Sequence, residues 1–336
     1  MPEVAYVLLF LLACFIFLVY ARLSLCNSRS LAVPPSSLYS VEVTTLDGVD
    51  TEMVHFSGSA ASGHHLLLLP GNPGSASFYL DFAASLSSAS SGSLPITIVS
   101  HASHSSGCTG SAGAVPRYYD LAQQVRHKVS VAQALLQRHP QRRLILAGHS
   151  VGAHMCLEVM RALPDTAVAR ALLLFPTVLE IGASPNGVAL MPLFLYCRWA
   201  LAAAAVALGA LPLAAQLAIA RRFLPPAASP ATASAALTII HPVVGVNALY
   251  LALSEMRTIG ALDEALARRL GEKCIAYFGA GDPWNRPGDH RLVQQAFGGQ
   301  GKVLVCEEGH PHGFVVHPKS SHRVAEKCWE WCKDLL

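Results

Sequence analysis

Residues 144–154 read LILAGHSVGAH, and their interpretation decides the fold. Leu144 to Ala147 are four apolar residues in a row, which predicts a buried strand. They run directly into Gly148-His149-Ser150-Val151-Gly152, and residues 153–162 are strong helix formers. A serine on a strand-to-helix turn, with glycine two places to either side, has the pattern of a nucleophile elbow. The glycines have a mechanical reason. The turn is strained at the serine, and bare backbone at 148 and 152 lets the helix press against neighbouring strands. Ser150 then projects into the open, with the positive end of the following helix beside any oxyanion that forms there. Such a pentapeptide also arises by chance as an ordinary turn. The strand before it and the helix behind it favour a nucleophile.

The chain has 336 residues, 52% of them hydrophobic, enough for one large core or two modest ones. Charged residues make up 13%, against about 25% in an ordinary soluble domain. Part of the chain therefore prefers lipid to water. The net charge of +3 is small, and no basic run interleaved with aromatics points to nucleic acid. No glycine-rich phosphate loop follows a strand, so no nucleotide is expected either. The nine cysteines are odd in number and scattered. Cys328 and Cys332 share a helix face, but no further Cys or His set completes a zinc site. They read as free thiols in a reducing compartment, and no metal or cofactor is expected.

Taken in order, residues 4–21 (VAYVLLFLLACFIFLVYA) are uncharged and just long enough to span a bilayer. Glu3 precedes them where a signal peptide would have a basic region, and no clear cleavage site follows. Residues 1–23 are therefore expected to form a retained anchor. Arg22 and Arg29 after it put the remainder on the cytosolic side. Alternating residues 39–45 and 52–56 predict antiparallel strands around Leu46-Asp47-Gly48. Residues 64–69 form a third strand, ending at Pro70-Gly71-Asn72-Pro73-Gly74. A helix over 75–90, a buried strand over 95–100, a Ser/Gly-rich loop to Pro116 and a helix over 118–139 precede the elbow. Residues 171–175 predict the next strand.

There the rhythm breaks. Residues 181–269 are a long insertion, apolar and alanine-rich in its first half. Alternation resumes with strands at 273–278 and 302–307 and helices near 290–297 and 320–336. Strands alternating with helices imply a mainly parallel sheet covered on both faces. Eight strands with the serine after the fifth make an α/β-hydrolase, with core segments 24–180 and 270–336 and the 181–269 insertion as a helical cap.

In that layout serine, acid and histidine follow one another along the chain. The acid belongs at the carboxyl end of a strand beyond the elbow. Asp282 fits, four residues past Phe278 in Gly279-Ala280-Gly281-Asp282-Pro283-Trp284. Glu180 and Asp289 are its rivals, and an Asp in a turn can be no more than a turn residue. The histidine should follow the last strand, where Gly309-His310-Pro311-His312-Gly313-Phe314 offers two candidates, with His317 and His322 farther on. Spacing does not choose between His310 and His312. The oxyanion needs two backbone N–H groups, one from Val151 and one from the loop at 70–74. Pro73 has no N–H, which points to Asn72.

The residues 70–74 and Phe78-Tyr79, then Ser100-His101-Ala102-Ser103-His104, resemble the lipid droplet-associated hydrolases. So do LAQQVRHK at 121–128, the elbow itself and Ser184-Pro185-Asn186-Gly187. The similarity runs from about residue 66 to 316. It implies an α/β-hydrolase on lipid droplets and the endoplasmic reticulum, with sterol esters or acylglycerols as substrates. The family histidine precedes a small residue and Phe, which implies His312. The family serine falls on Ser150 and its acid on Asp282. The expected protein is thus a serine carboxylic ester hydrolase facing the cytosol. An esterase or thioesterase for smaller acyl groups, and a droplet-surface protein with weak catalysis, are the alternatives.

One stretch of the insertion, residues 199–220 (WALAAAAVALGALPLAAQLAIA), is uncharged and flanked by Arg198 and Arg221-Arg222. As one straight helix it would reach roughly 33 Å, about one hydrocarbon core. A single crossing there would put Ser150 and His312 on opposite sides of the membrane. Gly209 and Pro212 predict a bend instead, so the stretch reads as a shallow insert lying in the interface. A buried helical pair in a soluble cap is the alternative.

Overall fold

The computed structural model describes residues 36–105 and 117–336. The expected anchor at 4–21 and most of the Ser/Gly-rich loop lie outside them. Eight strands form one sheet: β1 (Tyr39–Leu46), β2 (Val49–Phe56), β3 (His64–Leu69), β4 (Ile96–Val99), β5 (Arg143–His149), β6 (Val168–Leu174), β7 (Cys274–Gly279) and β8 (Lys302–Cys306). Their spatial order is β1-β2-β4-β3-β5-β6-β7-β8. β1 and β2 form a hairpin, and β2 runs antiparallel to β4. Every other pair is parallel. The fold is an α/β-hydrolase fold, as the sequence implies.

Helices cover both faces because the central strands are apolar on both. α1 (Leu80–Ala89) lies on one face, α2 (Leu121–Arg138) and α3 (Val151–Ala162) on the other. Leu67, Leu69, Leu144 and Leu146 point into a core shared with α2 and α3. Leu66, Leu68, Ile145 and Ala147 point the opposite way, toward Phe82 of α1. This is the period-two alternation of a strand buried on both faces. The helix expected over 75–90 begins differently. Ser75 caps a single 3-10 turn, Ala76–Tyr79, before α1 starts. A serine hydroxyl accepting Ser77 N–H closes a tight local turn there, in place of a regular first α-helical turn.

Between β6 and β7 come α4 (Pro185–Tyr196), α5 (Arg198–Gly209), α6 (Leu213–Phe223), α7 (Pro230–Ile240), α8 (Pro242–Thr258) and α9 (Glu264–Leu270). α10 (Asp289–Ala296) and α11 (Pro318–Glu330) complete the core. The stretch at 199–220 is broken where Gly209 and Pro212 predict, and Gln216 Nε2 donates to the freed carbonyls of Gly209 and Leu211 at 3.0 and 2.7 Å. α5, with 12 residues, is about 18 Å long at the usual rise, short of the roughly 30 Å of a hydrocarbon core. Among the described residues no single helix is long and apolar enough to cross a membrane. Only α7 and α8 together pass that test, and they are bent by 82°.

Candidate active site

The elbow is built where β5 meets α3. Ser150 sits at φ 55° and ψ −124°, a conformation costly for a residue with a side chain. Its two glycines are required by contact. A Cβ on Gly148 would lie 2.3 Å from Gly152 O, and one on Gly152 would lie 2.1 Å from Leu69 O. The Ser150 N–H donates to Leu174 O at 3.0 Å, tying the strained residue to the neighbouring strand β6.

Asp282, in the turn after β7, brings its carboxylate to His312 in the loop after β8. His312 Nδ1 lies 2.7 Å from Asp282 Oδ2, and His312 Nε2 lies 2.9 Å from Ser150 Oγ. The Asp282 side chain is 1% exposed and also accepts Trp284 N–H at 3.0 Å. A carboxylate held this way accepts from Nδ1–H. That leaves Nε2 with a lone pair toward the serine hydroxyl. The rival acids are engaged elsewhere. Glu180 and Asp289 both pair with Arg286. His310 Nε2 lies 3.3 Å from Glu308, and His322 pairs with Glu326 on α11. His317 lies just before the first turn of that helix and makes no side-chain cap hydrogen bond.

The loop after β3 crosses close above the serine, where a Cβ on Gly71 would lie 2.9 Å from Ser150 Cβ. Among the described residues, the backbone N–H groups of Asn72 and Val151 donate to no other group. The loop and the first turn of α3 thus each keep one unspent donor near the elbow, the two N–H groups that the sequence reading names for an oxyanion hole.

Two residues of this site have no role in the sequence reading, Tyr79 and His149. Gly71 N–H donates to Tyr79 Oη at 2.7 Å, and Tyr79 Oη lies 2.6 Å from His149 Nδ1. His149 Nε2 lies 2.8 Å from His312 O. Every hydrogen is then placed. Gly71 can only donate, so the phenol proton goes to Nδ1 and the imidazole proton to the His312 carbonyl. Burial, reinforced by the neighbouring His312, pushes the His149 ring down to about 3, so it stays neutral. The one signal in sequence is that a histidine, not an apolar residue, precedes the serine.

A cavity of about 420 Å³ opens over Asn72 and His312, roofed by Leu208, Ile219, Phe223 and Ile240 of α5, α6 and α7. Its volume lies within the usual small-molecule range, about 300–1,000 Å³. Among the described residues no group of three or more His, Cys, Asp or Glu could hold a metal ion.

Comparison with known proteins agrees with this fold. A sequence profile of the family described as lipid-droplet associated hydrolase matches residues 62–315. The lipid droplet-associated hydrolase of Pongo abelii is 30% identical over 81% of this chain and 85% of its own length. Its Homo sapiens counterpart is 29% identical over the same shares. Among solved structures, a bacterial membrane phospholipase A covers 100% of this chain and 99% of its own, with a TM-score of 0.61 at 17% identity, a likeness of fold. By profile and by relatives, the chain belongs to the lipid droplet-associated hydrolase family.

Proposed function

We propose that this chain hydrolyses carboxylic esters of neutral lipids, sterol esters or acylglycerols, at the surface of lipid droplets and the endoplasmic reticulum, with its catalytic domain toward the cytosol. The observation that carries this reading is the Ser150–His312–Asp282 hydrogen-bond chain, which meets an apolar cavity roofed by the insertion. In this reading residues 1–23 anchor the chain and residues 181–269 form the cap over a core of residues 24–180 and 270–336.

The acyl chain lies in the cavity with its carbonyl carbon over Ser150. His312 Nε2 takes the hydroxyl proton as Oγ attacks, and the carbonyl oxygen becomes an oxyanion held by the N–H groups of Asn72 and Val151. Asp282 steadies the imidazolium. The carbon–oxygen bond to the alcohol then breaks, the alcohol leaves with the His312 proton, and the acyl group remains on Ser150. Water, deprotonated by His312, attacks the acyl carbon and releases the fatty acid. No step needs a metal or cofactor.

The cap also supports a lipid address. Val188, Tyr196, Leu213 and Phe223 are 64%, 81%, 48% and 84% exposed, all on α4 and α6. Large apolar side chains clustered on one insertion favour a lipid contact, with Arg221 and Arg222 at its edge toward phosphate headgroups.

Covalent labelling with a fluorophosphonate, followed by fatty-acid release from emulsified cholesteryl oleate and trioleoylglycerol, tests the reading. Labelling lost in Ser150→Ala, with release from either emulsion, is the expected result. Turnover of p-nitrophenyl acetate alone would move the substrate to small acyl groups. A wild-type chain that never labels would leave a surface protein with a hydrolase fold.

A further inference from the structure

Helix α8 carries a polar stripe into the core. Asn247 Oδ1 accepts Tyr119 N–H at 3.1 Å, and Ser254 Oγ accepts Leu121 N–H at 3.1 Å. Asn247 and Ala248 lie seven residues before Ser254 and Glu255, so these four share one face two turns apart. Ala248 and Glu255 use that face differently. Asn72 Nδ2 donates to Ala248 O at 2.8 Å and lies 3.2 Å from Glu255 Oε1. An amide has two N–H donors, and the cap takes both.

Glu255 is 4% exposed and makes no ion pair among the described residues. Burial pushes its carboxyl up to about 8, against the smaller opposite pull of the Asn72 hydrogen bond, so it carries its proton at neutral pH. An unpaired acid in a helix-to-core contact is costly where a leucine would pack without penalty. What it touches is Asn72, the residue to which the proposed mechanism gives an oxyanion N–H.

We propose that Glu255 is a positioning residue of the oxyanion loop: with Ala248 O it suspends the Asn72 side chain from cap helix α8, so that the Asn72 N–H is correctly aimed only while that helix is docked. The inference rests on the oxyanion role given to Asn72 above. The cap is then part of the catalytic device as well as a roof over the acyl chain. α8 holds the loop, while α5 to α7 line the cavity.

The test uses the rate of fluorophosphonate labelling of the full chain, because the phosphonyl oxygen occupies the oxyanion position whatever the natural substrate. Glu255→Leu keeps the bulk and removes the acceptor, and Glu255→Gln restores an acceptor oxygen. The maximal labelling rate of Glu255→Leu is expected to fall by about ten-fold to a hundred-fold, below the loss of a whole oxyanion donor, with the half-saturating probe concentration within about two-fold. Glu255→Gln should recover most of that rate. In a chain already carrying Asn72→Ala, which keeps its N–H, Glu255→Leu should cost nothing further. Equal labelling by wild type and Glu255→Leu overturns the proposal. So does a loss that persists undiminished in the Asn72→Ala background, since Glu255 would then act through packing. Failure of Glu255→Leu to fold leaves the decision to Glu255→Gln and Asn72→Ala, which must label near the wild-type rate and well below it, respectively. A wild-type chain that never labels overturns this proposal together with the catalytic reading beneath it, whereas labelling indifferent to Glu255 overturns this proposal alone.

Discussion

Tyr79 Oη stands 2.6 Å from His149 Nδ1 and is the middle link of a chain from Gly71 to His312. The loop after β3, the elbow and the loop after β8 are joined by it, although bonded partners lie up to 163 positions apart. Tyr79→Phe would leave the Gly71 N–H and the His149 Nδ1 without partners in a buried site. We expect kcat to fall about ten-fold and the melting temperature by several degrees, the scale of one lost buried hydrogen bond. Steady-state kinetics and calorimetry on the two proteins check both.

The acids separate cleanly by their partners. Asp282→Asn should lower kcat by a factor on the order of 10⁴, as loss of the orienting carboxylate does in such triads. Glu180→Gln loses only a partly exposed pair with Arg286 and should change kcat less than about three-fold. His312→Ala should resemble Asp282→Asn, and His310→Ala should resemble Glu180→Gln. Turnover as damaged by His310→Ala as by His312→Ala would contradict the assignment.

Stability should carry the signature of Glu255. Its folded carboxyl titrates near 8, above the 4.5 of the free side chain. A group raised in this way favours the fold fully below 4.5 and loses that contribution as pH rises toward 8. The melting temperature of Glu255→Gln minus that of wild type should therefore climb between pH 5 and pH 8. A difference that stays flat across that window would place the titration elsewhere.

The cap should bind lipid without the N-terminal segment. The chain without residues 1–23 is expected to float with trioleoylglycerol droplets coated in phosphatidylcholine. Tyr196→Asp with Leu213→Asp should reduce the bound fraction at least about ten-fold, since each replaces an exposed apolar side chain by a charge. Labelling by a soluble fluorophosphonate should not change, because neither residue lines the cavity. A truncated chain that stays in the aqueous layer would make the cap an ordinary soluble one.

Legibility in the sequence followed locality. The elbow is written in eleven consecutive residues, because strand, strained turn and helix are all short-range structures. The break at Gly209 and Pro212 is local for the same reason. Asp282 could be ranked first because the end of a strand is a place that topology defines. The geometry brings His312 to Ser150, yet spacing alone left it level with His310, since both belong to one loop and only its path decides which ring turns inward. Tyr79, His149 and Glu255 are beyond a sequence reading. Their partners are 8, 163 and 183 residues away, and nothing periodic marks them.

β6 and β7 are neighbours in the sheet, with Leu172 opposite Ile275. The insertion leaves from the end of one and returns to the start of the other, strands about 4.8 Å apart. Because the two strands run parallel, its stems stand at opposite ends of that pair, and the register is held by the β6–β7 ladder itself, whatever is strung between them. A region attached in this way behaves as an interchangeable part. Evolution can lengthen it, grease it or replace it while the serine, the acid and the histidine keep their places. The exception is the single asparagine hung from α8, which any replacement cap would have to catch.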